Sequence, residues 1–335
     1  MLHRLQSSES PPGEDPDKIL GMPAIDPMLA QTATGPFDDE NYLFEVKWDG
    51  YRCLAYLTPH RVYLRSRNGL ALLPRFPVLV TLSSNLAGET TRALIDGEIV
   101  AFHDGKVDFS YLKTQPEGVT FVAFDILYVD ERPLFAVPLC RRREILKTVV
   151  REGGRLIFSE AVPENGTAVF RWVKEQGLEG MMAKRKDSLY HPGERTRDWL
   201  KIKNTREGEF WVVGYLPSPG RRIGSLVLAQ PEDGKFHILG RVSSGLDHGL
   251  EEVLLSILGQ GLPGPDPRIQ EKLKRSEAQK VRWVKPYFGV SVQYTEITSD
   301  GKLRHPVLRG LLGANASQAR KEDQSEDRGQ GDRGL

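Results

Sequence analysis

The feature that most limits the fold is a series of short strand-like segments, most of them bounded by Gly, Asp, Asn or Pro. Apolar residues at helical spacing lie between some of these segments and predict helices over Phe76–Leu86, Leu139–Val150 and Ala168–Gln176. Mixed sheets with flanking helices, an α+β arrangement, are therefore expected up to Lys203. The predicted strands of this part are Leu43–Val46, Cys53–Leu57, Val62–Arg65, Leu94–Phe102, Thr120–Tyr128, Gly180–Lys184 and Trp199–Lys203.

After Lys203 the pattern changes to closely spaced strands with Gly- and Pro-rich turns. One helical interval, Gly249–Leu258, interrupts them. Short strands with one inserted helix are typical of a small OB-fold β-barrel, so a domain boundary is predicted near Asn204–Glu209. The predicted strands of the barrel are Phe210–Tyr215, Ser225–Ala229, Phe236–Val242 and Val290–Ile297.

Both ends of the chain are poor in apolar residues. Residues 1–22 are predicted to be a flexible leader, and residues 313–335 a disordered charged tail, because neither can bury a core. The predicted organisation is therefore a leader, a larger domain over residues 23–205, a barrel over residues 206–312, and a tail. A length of 335 residues also favours two domains over one.

Composition excludes several classes of protein. Cys53 and Cys140 are the only cysteines, too few for a disulfide framework or a cysteine-rich zinc site. No apolar stretch is long enough to cross a bilayer, so no membrane partner and a cytoplasmic location are predicted. A net charge of +1 does not itself predict a nucleic-acid partner. Local basic runs do exist, although each is also typical of a solvated face: Arg141–Arg143, Lys184–Lys186, Arg195–Lys203 and Arg221–Arg222.

The segment from Glu45 to Arg52 is the first candidate site. Lys47 leaves an apolar strand and is followed by Asp49, Gly50 and an arginine. A lysine amine that has lost its proton can act as a nucleophile. An Asp-Gly pair after a strand is also common in hairpin turns, so the segment alone leaves both interpretations open.

Two further segments place functional residue types among apolar ones. Glu98 alternates with apolar residues over Leu94–Val100, which fits either a ligand-binding acid or a solvent-facing acid on a half-buried sheet. Phe124 lies in the apolar run Phe121–Tyr128, where it can belong to the core or stack on a base.

Charged residues recur in two later strands. Glu179 and Lys184 lie at the ends of one short strand, and Lys201 and Lys203 share one face of the next at a period of two. Two cations on one face favour a shared anion such as a nucleotide phosphate. An edge strand protected by lysines against aggregation is the alternative.

Taken together and in order, these motifs resemble those of the covalent nucleotidyltransferase superfamily, and within it the ATP-dependent DNA ligases of bacterial end joining. The resemblance covers about Pro23 to Gly310 and implies an ATP-grasp-like ligase domain of nucleotidyltransferase type, followed by an OB-fold domain. Its motifs are K-x-D-G-x-R, S-R-N-G, D-G-E, F-D-x-L, E-G-x-x-x-K and W-L-K-I-K, with Pro27–Ala30, Gly240–Val242 and Trp283–Pro286 as further segments.

The resemblance implies a reaction in three steps. Lys47 would attack the α-phosphate of ATP, expel pyrophosphate and hold AMP. The AMP would pass to the 5′-phosphate of a nick, and the 3′-hydroxyl would then displace it. The implied cofactors are ATP, as covalent AMP, and Mg²⁺ or Mn²⁺. The implied partners are nicked duplex DNA and accessory repair proteins, with a monomeric enzyme and DNA repair as the setting.

The same resemblance implies roles for residues at the nucleoside. Glu45 would read the adenine amine, and Phe124 would stack on the ring. Arg52 and Arg67 would contact the ribose or the nick phosphate.

At the phosphates, the resemblance implies acids and lysines. Glu98 and Glu179 would contact the ribose and a divalent metal. Three lysines would hold the α-phosphate, namely Lys184, Lys201 and Lys203.

The C-terminal motif departs from the family pattern. Arg304–Leu311 follows it, but Leu312–Asn315 stand where an arginine, an acid and a lysine that orient pyrophosphate are expected. The sequence therefore predicts that self-adenylation is slow relative to the sealing steps. An added partner protein or Mn²⁺ is expected to raise the rate of self-adenylation. The alternatives are an RNA ligase, a capping-type guanylyltransferase, or a non-catalytic nick-binding protein.

Overall fold

The computed structural model describes residues 18–258, 262, 264–270, 275–286, 288–298 and 300–312. It divides into two compact units, Met1–Asn204 and Thr205–Leu335. Among the described residues, no helix is both long and apolar enough to span a membrane. The predicted charged tail, residues 313–335, and the first seventeen residues of the predicted leader lie outside the described residues.

The first unit contains two large sheets and a small hairpin. Its strands are β1 (Lys18–Ile19), β2 (Met22–Pro23), β3 (Leu29–Thr32), β4 (Asp39–Val46), β5 (Tyr51–Leu57), β6 (Val62–Ser66), β7 (Ala93–His103), β8 (Lys106–Val107), β9 (Val119–Val129), β10 (Arg132–Pro133), β11 (Leu156–Phe158), β12 (Ala161–Glu164), β13 (Gly180–Arg185) and β14 (Arg195–Lys203).

One sheet has seven strands in the order β10-β9-β7-β5-β6, with β11 also paired to β9 and β8 to β7. The other has five strands in the order β12-β4-β13-β14-β3. Each of the seven strands predicted for this unit lies within an observed strand. The α+β class is therefore confirmed.

The period of two along the strands explains where the cores lie. On β5, Cys53, Ala55 and Leu57 pack into one apolar cluster, whereas Leu54 and Tyr56 pack into another on the opposite face. The second cluster also receives Trp199 of β14, in the five-stranded sheet. The two sheets therefore share this cluster, and polar side chains on the same faces lie beside it.

The helices agree with the predictions at three of four places. The first unit has α1 (Phe109–Thr114), α2 (Leu139–Val149) and α3 (Gly166–Glu175), of which α1 was not predicted. The segment Phe76–Leu86 was predicted as a helix and forms instead a 3₁₀ helix at Pro77–Asn85. Asp108 caps α1 by accepting hydrogen bonds from the backbone N–H groups of residues 110 and 111, a local signal that the hydrophobic pattern does not carry.

The predicted flexible leader ends too late. Residues 18–22 belong to an antiparallel pair, β1 with β2, and Ile19, Leu20 and Met22 are buried in the core between the sheets. Three apolar residues in a short polar stretch are enough to anchor it once a partner surface exists. The prediction over residues 1–22 is therefore corrected for its last five residues.

The second unit forms one mostly antiparallel sheet, in which β17 and β18 pair in parallel. Its main order is β18-β17-β16-β15-β20-β21, with β19 paired to β15. A bridge between Ser244 and Val307 brings the end of β17 to β21, as in a small OB-fold barrel. Its strands are β15 (Arg206–Ser218), β16 (Arg221–Glu232), β17 (Lys235–Val242), β18 (Ile269–Gln270), β19 (Arg282–Trp283), β20 (Gly289–Tyr294) and β21 (Val307–Leu312), and its helices are α4 (His248–Leu258) and α5 (Arg275–Ala278).

Candidate active site

Lys47 lies where the chain crosses from one sheet of the first unit to the other. Strand β4 ends at Val46 and β5 begins at Tyr51, and these strands belong to different sheets, so the segment is not a hairpin turn. The backbone N–H of Lys47 donates to the carbonyl of Gly180, 2.9 Å away. A Cβ on Gly50 would lie 2.1 Å from the carbonyl oxygen of Ile99, so the crossing requires glycine there.

A cleft of about 220 Å³ opens beside this crossing. The period of two directs side chains of β4, β13 and β14 into the cleft, because these strands pack their other faces against α3. Eight of the ten residues predicted for the site line the cleft, and Glu179 and Lys203 do not. The eight are Glu45, Lys47, Arg52, Arg67, Glu98, Phe124, Lys184 and Lys201.

Lys47 is held by an acid from outside the lining. Its Nζ lies 2.5 Å from Oε2 of Glu179, and both side chains remain partly accessible. Burial raises the pKa of Glu98 to about 8, while the positive charges of Arg52 and Lys47 oppose the shift and the charge of Glu179 adds to it. Lys47 therefore pairs with one acid, Glu179, and acts electrostatically on a second, Glu98.

These two carboxylates fit a divalent cation. Mg²⁺ needs few protein ligands, since it keeps waters and uses phosphate oxygens. Glu98 and Glu179 would supply oxygen ligands, and a bound cation would offset both the burial of the Glu98 charge and the nearby charge of Glu179, which together raise the pKa of Glu98. Among the residues that the structure describes, no group of three or more His, Cys, Asp or Glu could form a denser metal site.

Positive side chains gather along β14 at the same side of the molecule. Burial, followed by the charges of Lys203 and Arg195, lowers the pKa of Lys201, and Lys47 and Arg67 contribute to that shift. Strand β14 lies between β13 and β3, so its lysines do not protect a sheet edge. An anion is the partner that this cluster favours.

Glu45 and Lys184 form a buried group at the cleft wall. Glu45 is 3% exposed and Lys184 is 2% exposed, and the two side chains form an ion pair. Arg143 donates to Oε2 of Glu45 over 3.1 Å. Burial lowers the pKa of Lys184, and the charge of Glu45 opposes that shift. Lys184 was predicted to hold the α-phosphate, but in this structure it is the counter-ion of a buried carboxylate.

Phe124 belongs to the core and also borders the cleft, so its stacking on a base stays a prediction. It is only 5% exposed and belongs to the core between the sheets, yet it lines the cleft. Its ring already has two cationic neighbours, since Nζ of Lys184 lies 4.0 Å and Cζ of Arg52 lies 4.6 Å from the ring centroid.

Arg52 is fixed by an acid that was not among the predicted site residues. Its Nε and Nη2 each donate to the carboxylate of Asp96 over 2.6 Å. Asp96 is fully buried and also accepts from the hydroxyl of Tyr190, which in turn accepts from the N–H of Met28. Asp96 lies two residues before Glu98 on β7, so the period of two was a signal for it.

The run Arg141–Arg143 was also missed, because a basic run is typical of a solvated face. Arg142 is fully buried and forms two hydrogen bonds of 2.8 Å with Asp125. Arg143 is mostly buried and reaches Glu45. No pattern in the sequence distinguishes these arginines from Arg141, which pairs with Glu144 at the surface.

In the second unit, the retained part of the C-terminal motif is engaged within the barrel. Nη1 of Arg304 donates to Glu296 over 2.8 Å, and Arg309 donates to Gln293 of β20. Both arginines therefore have acceptors of their own. The residues after Leu312, where the charged end of the motif was expected, lie outside the described residues.

Comparisons with known proteins identify the family of the chain. A family model described as ATP dependent DNA ligase domain matches residues 27–203, and one described as ATP dependent DNA ligase C terminal region matches residues 219–312. The multifunctional non-homologous end joining DNA repair protein LigD of Mycobacterium tuberculosis is 32% identical in an alignment of 323 residues that covers 93% of this chain and 41% of that protein. The DNA ligase of Thermococcus onnurineus is 31% identical, over 78% of this chain and 52% of that protein.

The solved ligase domain of Mycobacterium tuberculosis LigD has the same fold, with a TM-score of 0.53 and 32% identity over 86% of this chain and 95% of that one. A mycobacterial DNA ligase D solved in complex with ATP and MES gives the same values. The chain spans about two fifths of the length of the curated LigD proteins from mycobacteria that it matches. On the match over residues 27–203, the chain belongs to the family of ATP-dependent DNA ligases.

Proposed function

We propose that this chain is the catalytic part of an ATP-dependent DNA ligase that seals nicks between a 5′-phosphate and a 3′-hydroxyl through a lysine-AMP intermediate. The observation that carries the proposal is the position of Lys47, which lies at a sheet crossing, lines a cleft and is oriented by Glu179. Membership of the family supports it, as does the mycobacterial relative solved with ATP.

In the first step, Nζ of Lys47 loses a proton and attacks the α-phosphorus of ATP. A P–N bond forms, the bond to pyrophosphate breaks, and AMP stays on the lysine. A 5′-phosphate oxygen of the nick then attacks the same phosphorus and breaks the P–N bond. Finally the 3′-hydroxyl attacks the 5′-phosphorus, loses its proton, and AMP leaves.

The chain contributes position and charge to these steps. Glu179 holds the Lys47 amine in one place, and Lys201 and Lys203 supply positive charge for the α-phosphate. Glu98 and Glu179 would hold Mg²⁺ or Mn²⁺, which neutralises phosphate charge when bound.

At the nucleoside, Glu45 offers a buried carboxylate acceptor for the adenine amine, and Phe124 offers a ring edge or face at the cleft. Arg52 and Arg67 line the same cleft and would contact the ribose or the nick phosphate. Lys184 is the counter-ion of Glu45 at this base end, and its contact with the α-phosphate remains part of the proposal.

The partners follow from the reaction. Nicked duplex DNA is the proposed substrate, with accessory repair proteins as further partners, a monomeric enzyme and a cytoplasmic setting in DNA repair. The M. tuberculosis relative, whose name refers to non-homologous end joining DNA repair, supports the repair setting. A panel of nicks with DNA or RNA on the 3′-hydroxyl strand tests the choice of polynucleotide, and preference for an RNA strand would contradict the proposal.

The experiment that tests the proposal is covalent labelling. The purified protein is incubated with α-labelled ATP and Mg²⁺ and analysed on a denaturing gel beside Lys47→Ala. Label on the wild type and its loss in the variant are expected, because Nζ of Lys47 is the proposed attachment point. Lys186→Ala, at a lysine outside the cleft lining, is the control and keeps the label. Equal labelling of the wild type and Lys47→Ala contradicts the proposal.

The first step is proposed to be slow because the charged end of the C-terminal motif is replaced by Leu312–Asn315. Sealing of a pre-adenylated nick, which skips this step, is therefore expected to be faster than sealing of an ordinary nick with ATP. Mn²⁺ is expected to reduce the difference. Equal rates on the two nicks would show that the altered motif does not limit the first step.

A further inference from the structure

The three consecutive arginines of α2 face three different environments. Successive residues of a helix point about 100° apart, so a run of three cannot share one face. Arg141 pairs with Glu144 at the surface. Arg142 is fully buried, and the side chain of Arg143 is 12% exposed. Arg142 and Arg143 therefore form contacts inside the protein and do not belong to a solvated basic face.

Arg143 joins three acceptors from three parts of the chain. Its Nη1 donates to Oε2 of Glu45 over 3.1 Å and to the carbonyl of Phe124 over 3.0 Å, and its Nη2 donates to the carbonyl of Ser159. A guanidinium is a rigid planar fork of donors, so three acceptors fix its plane. The Glu45 carboxylate is thus hydrogen-bonded to a guanidinium whose own orientation is fixed.

Arg142 and Arg143 both hold the dipeptide Phe124-Asp125. Arg142 holds the side chain of Asp125, while Arg143 holds the backbone carbonyl of Phe124. Both residues of this dipeptide are therefore tied to α2. The helix consequently positions the aromatic ring and the carboxylate at the base end of the cleft together.

We infer that Arg143 is a positioning residue that sets the preference of this site for a purine with a 6-amino group. The inference rests on the proposed function, in which Glu45 accepts a hydrogen bond from that amine. Lys184 neutralises Glu45 but cannot orient it, because an ammonium group is a point charge without a preferred plane. Arg143 supplies the orientation, so that one acceptor position of the carboxylate stays directed at the base.

Binding of two nucleotides that differ only in the amine tests the inference. Dissociation constants for ATP and for purine riboside triphosphate, which lacks the 6-amino group, are measured by calorimetry without metal. Wild-type chain is compared with Arg143→Met, with Arg143→Lys, and with Arg141→Met as the matched control from the same helix.

Arg143→Met is expected to weaken ATP binding about tenfold, the size of one hydrogen bond to a charged group, and to change binding of the analogue far less. Arg143→Lys keeps the charge but not the fork, and is expected to fall between Arg143→Met and wild type. Arg141→Met is expected to bind both nucleotides as the wild type does. Glu45→Gln combined with Arg143→Met should bind ATP no more weakly than Glu45→Gln alone, because Arg143 acts through Glu45.

Equal weakening for both nucleotides would assign Arg143 a purely structural role and overturn the inference, as would unchanged ATP binding in both Arg143 variants. Additive losses in the double variant would also overturn it. Failure of the proposed function has a different signature. A wild-type chain that binds both nucleotides but takes no label on Lys47 would reject the adenylation chemistry, and the binding comparison would still decide the role of Arg143.

Discussion

The two ends of the cleft are built differently from the same residue types. At the base end, Glu45 is almost inaccessible and lies between two cations, Lys184 and Arg143. At the reacting end, Lys47 and Glu179 form a partly accessible pair next to a cluster of like charges. The base end is fixed before any ligand arrives, whereas the reacting end keeps unbalanced charge that an incoming phosphate and cation would balance.

Removing one acid from each end gives the largest expected contrast. Glu45→Ala leaves two buried cations without a counter-ion and is expected to lower the free energy of unfolding by about 3 to 5 kcal/mol. Glu179→Ala leaves a partly hydrated lysine and is expected to cost less than about 1 kcal/mol. Urea unfolding of both variants measures the difference. Similar losses would mean that the two ends do not differ in the way the burial indicates.

The pH dependence of stability sharpens the comparison at Glu98. Its folded-state pKa, about 8, lies above the ordinary value, so the protonated form favours folding. The contribution of Glu98 is therefore fully present below the ordinary pKa and is lost as the pH rises towards 8 and above. Glu98→Gln is expected to lack this loss. Unfolding free energies of both proteins between pH 5 and 9 test it, in the range set by that pKa.

Parallel pH curves for the two proteins would contradict the raised pKa of Glu98. A further comparison adds Mg²⁺. Because a cation competes with the proton for the same carboxylate, Mg²⁺ is expected to flatten the wild-type curve and to leave the curve of Glu98→Gln nearly unchanged.

The smallest expected effect has opposite signs for stability and binding. Lys201→Met removes one of several like charges and is expected to stabilise the empty protein by roughly 0.5 kcal/mol, while it weakens ATP binding. Lys106→Met, at an exposed position of β8, is the matched control and should change neither quantity. Thermal unfolding and calorimetry measure both. A loss of stability in Lys201→Met would show that its neighbours are not repelling it.

The sequence predicts much of the fold because hydrophobic period is a local signal. Strands such as Leu94–Phe102 and Trp199–Lys203 lie inside observed strands, and the pattern of Lys201 and Lys203 already places them on one face. The 3₁₀ helix at Pro77–Asn85 differs from the predicted helix only in its winding, which apolar spacing does not encode.

The site was predicted where its residues belong to ordered motifs, and missed where partners come from distant parts of the chain. Asp96 and Tyr190 are 94 positions apart, and their contact depends on how the sheets meet. Arg143 and Glu45 are 98 positions apart, and nothing local separates Arg143 from its surface neighbour Arg141. Long-range contacts of this kind depend on tertiary structure. The residues that hold Glu45 and Arg52 in place were therefore not predicted.

The parallel pairing of β3 with β14 also sets an order of events during synthesis. Leu29–Thr32 leave the ribosome well before their partner residues, from Arg195 to Lys201, which are made only near the end of the first unit. The cleft wall at Pro27–Ala30 must therefore wait for almost the whole unit to be translated. A nascent chain released before that strand has no closed nucleotide pocket, which makes ATP binding a late marker of completed folding.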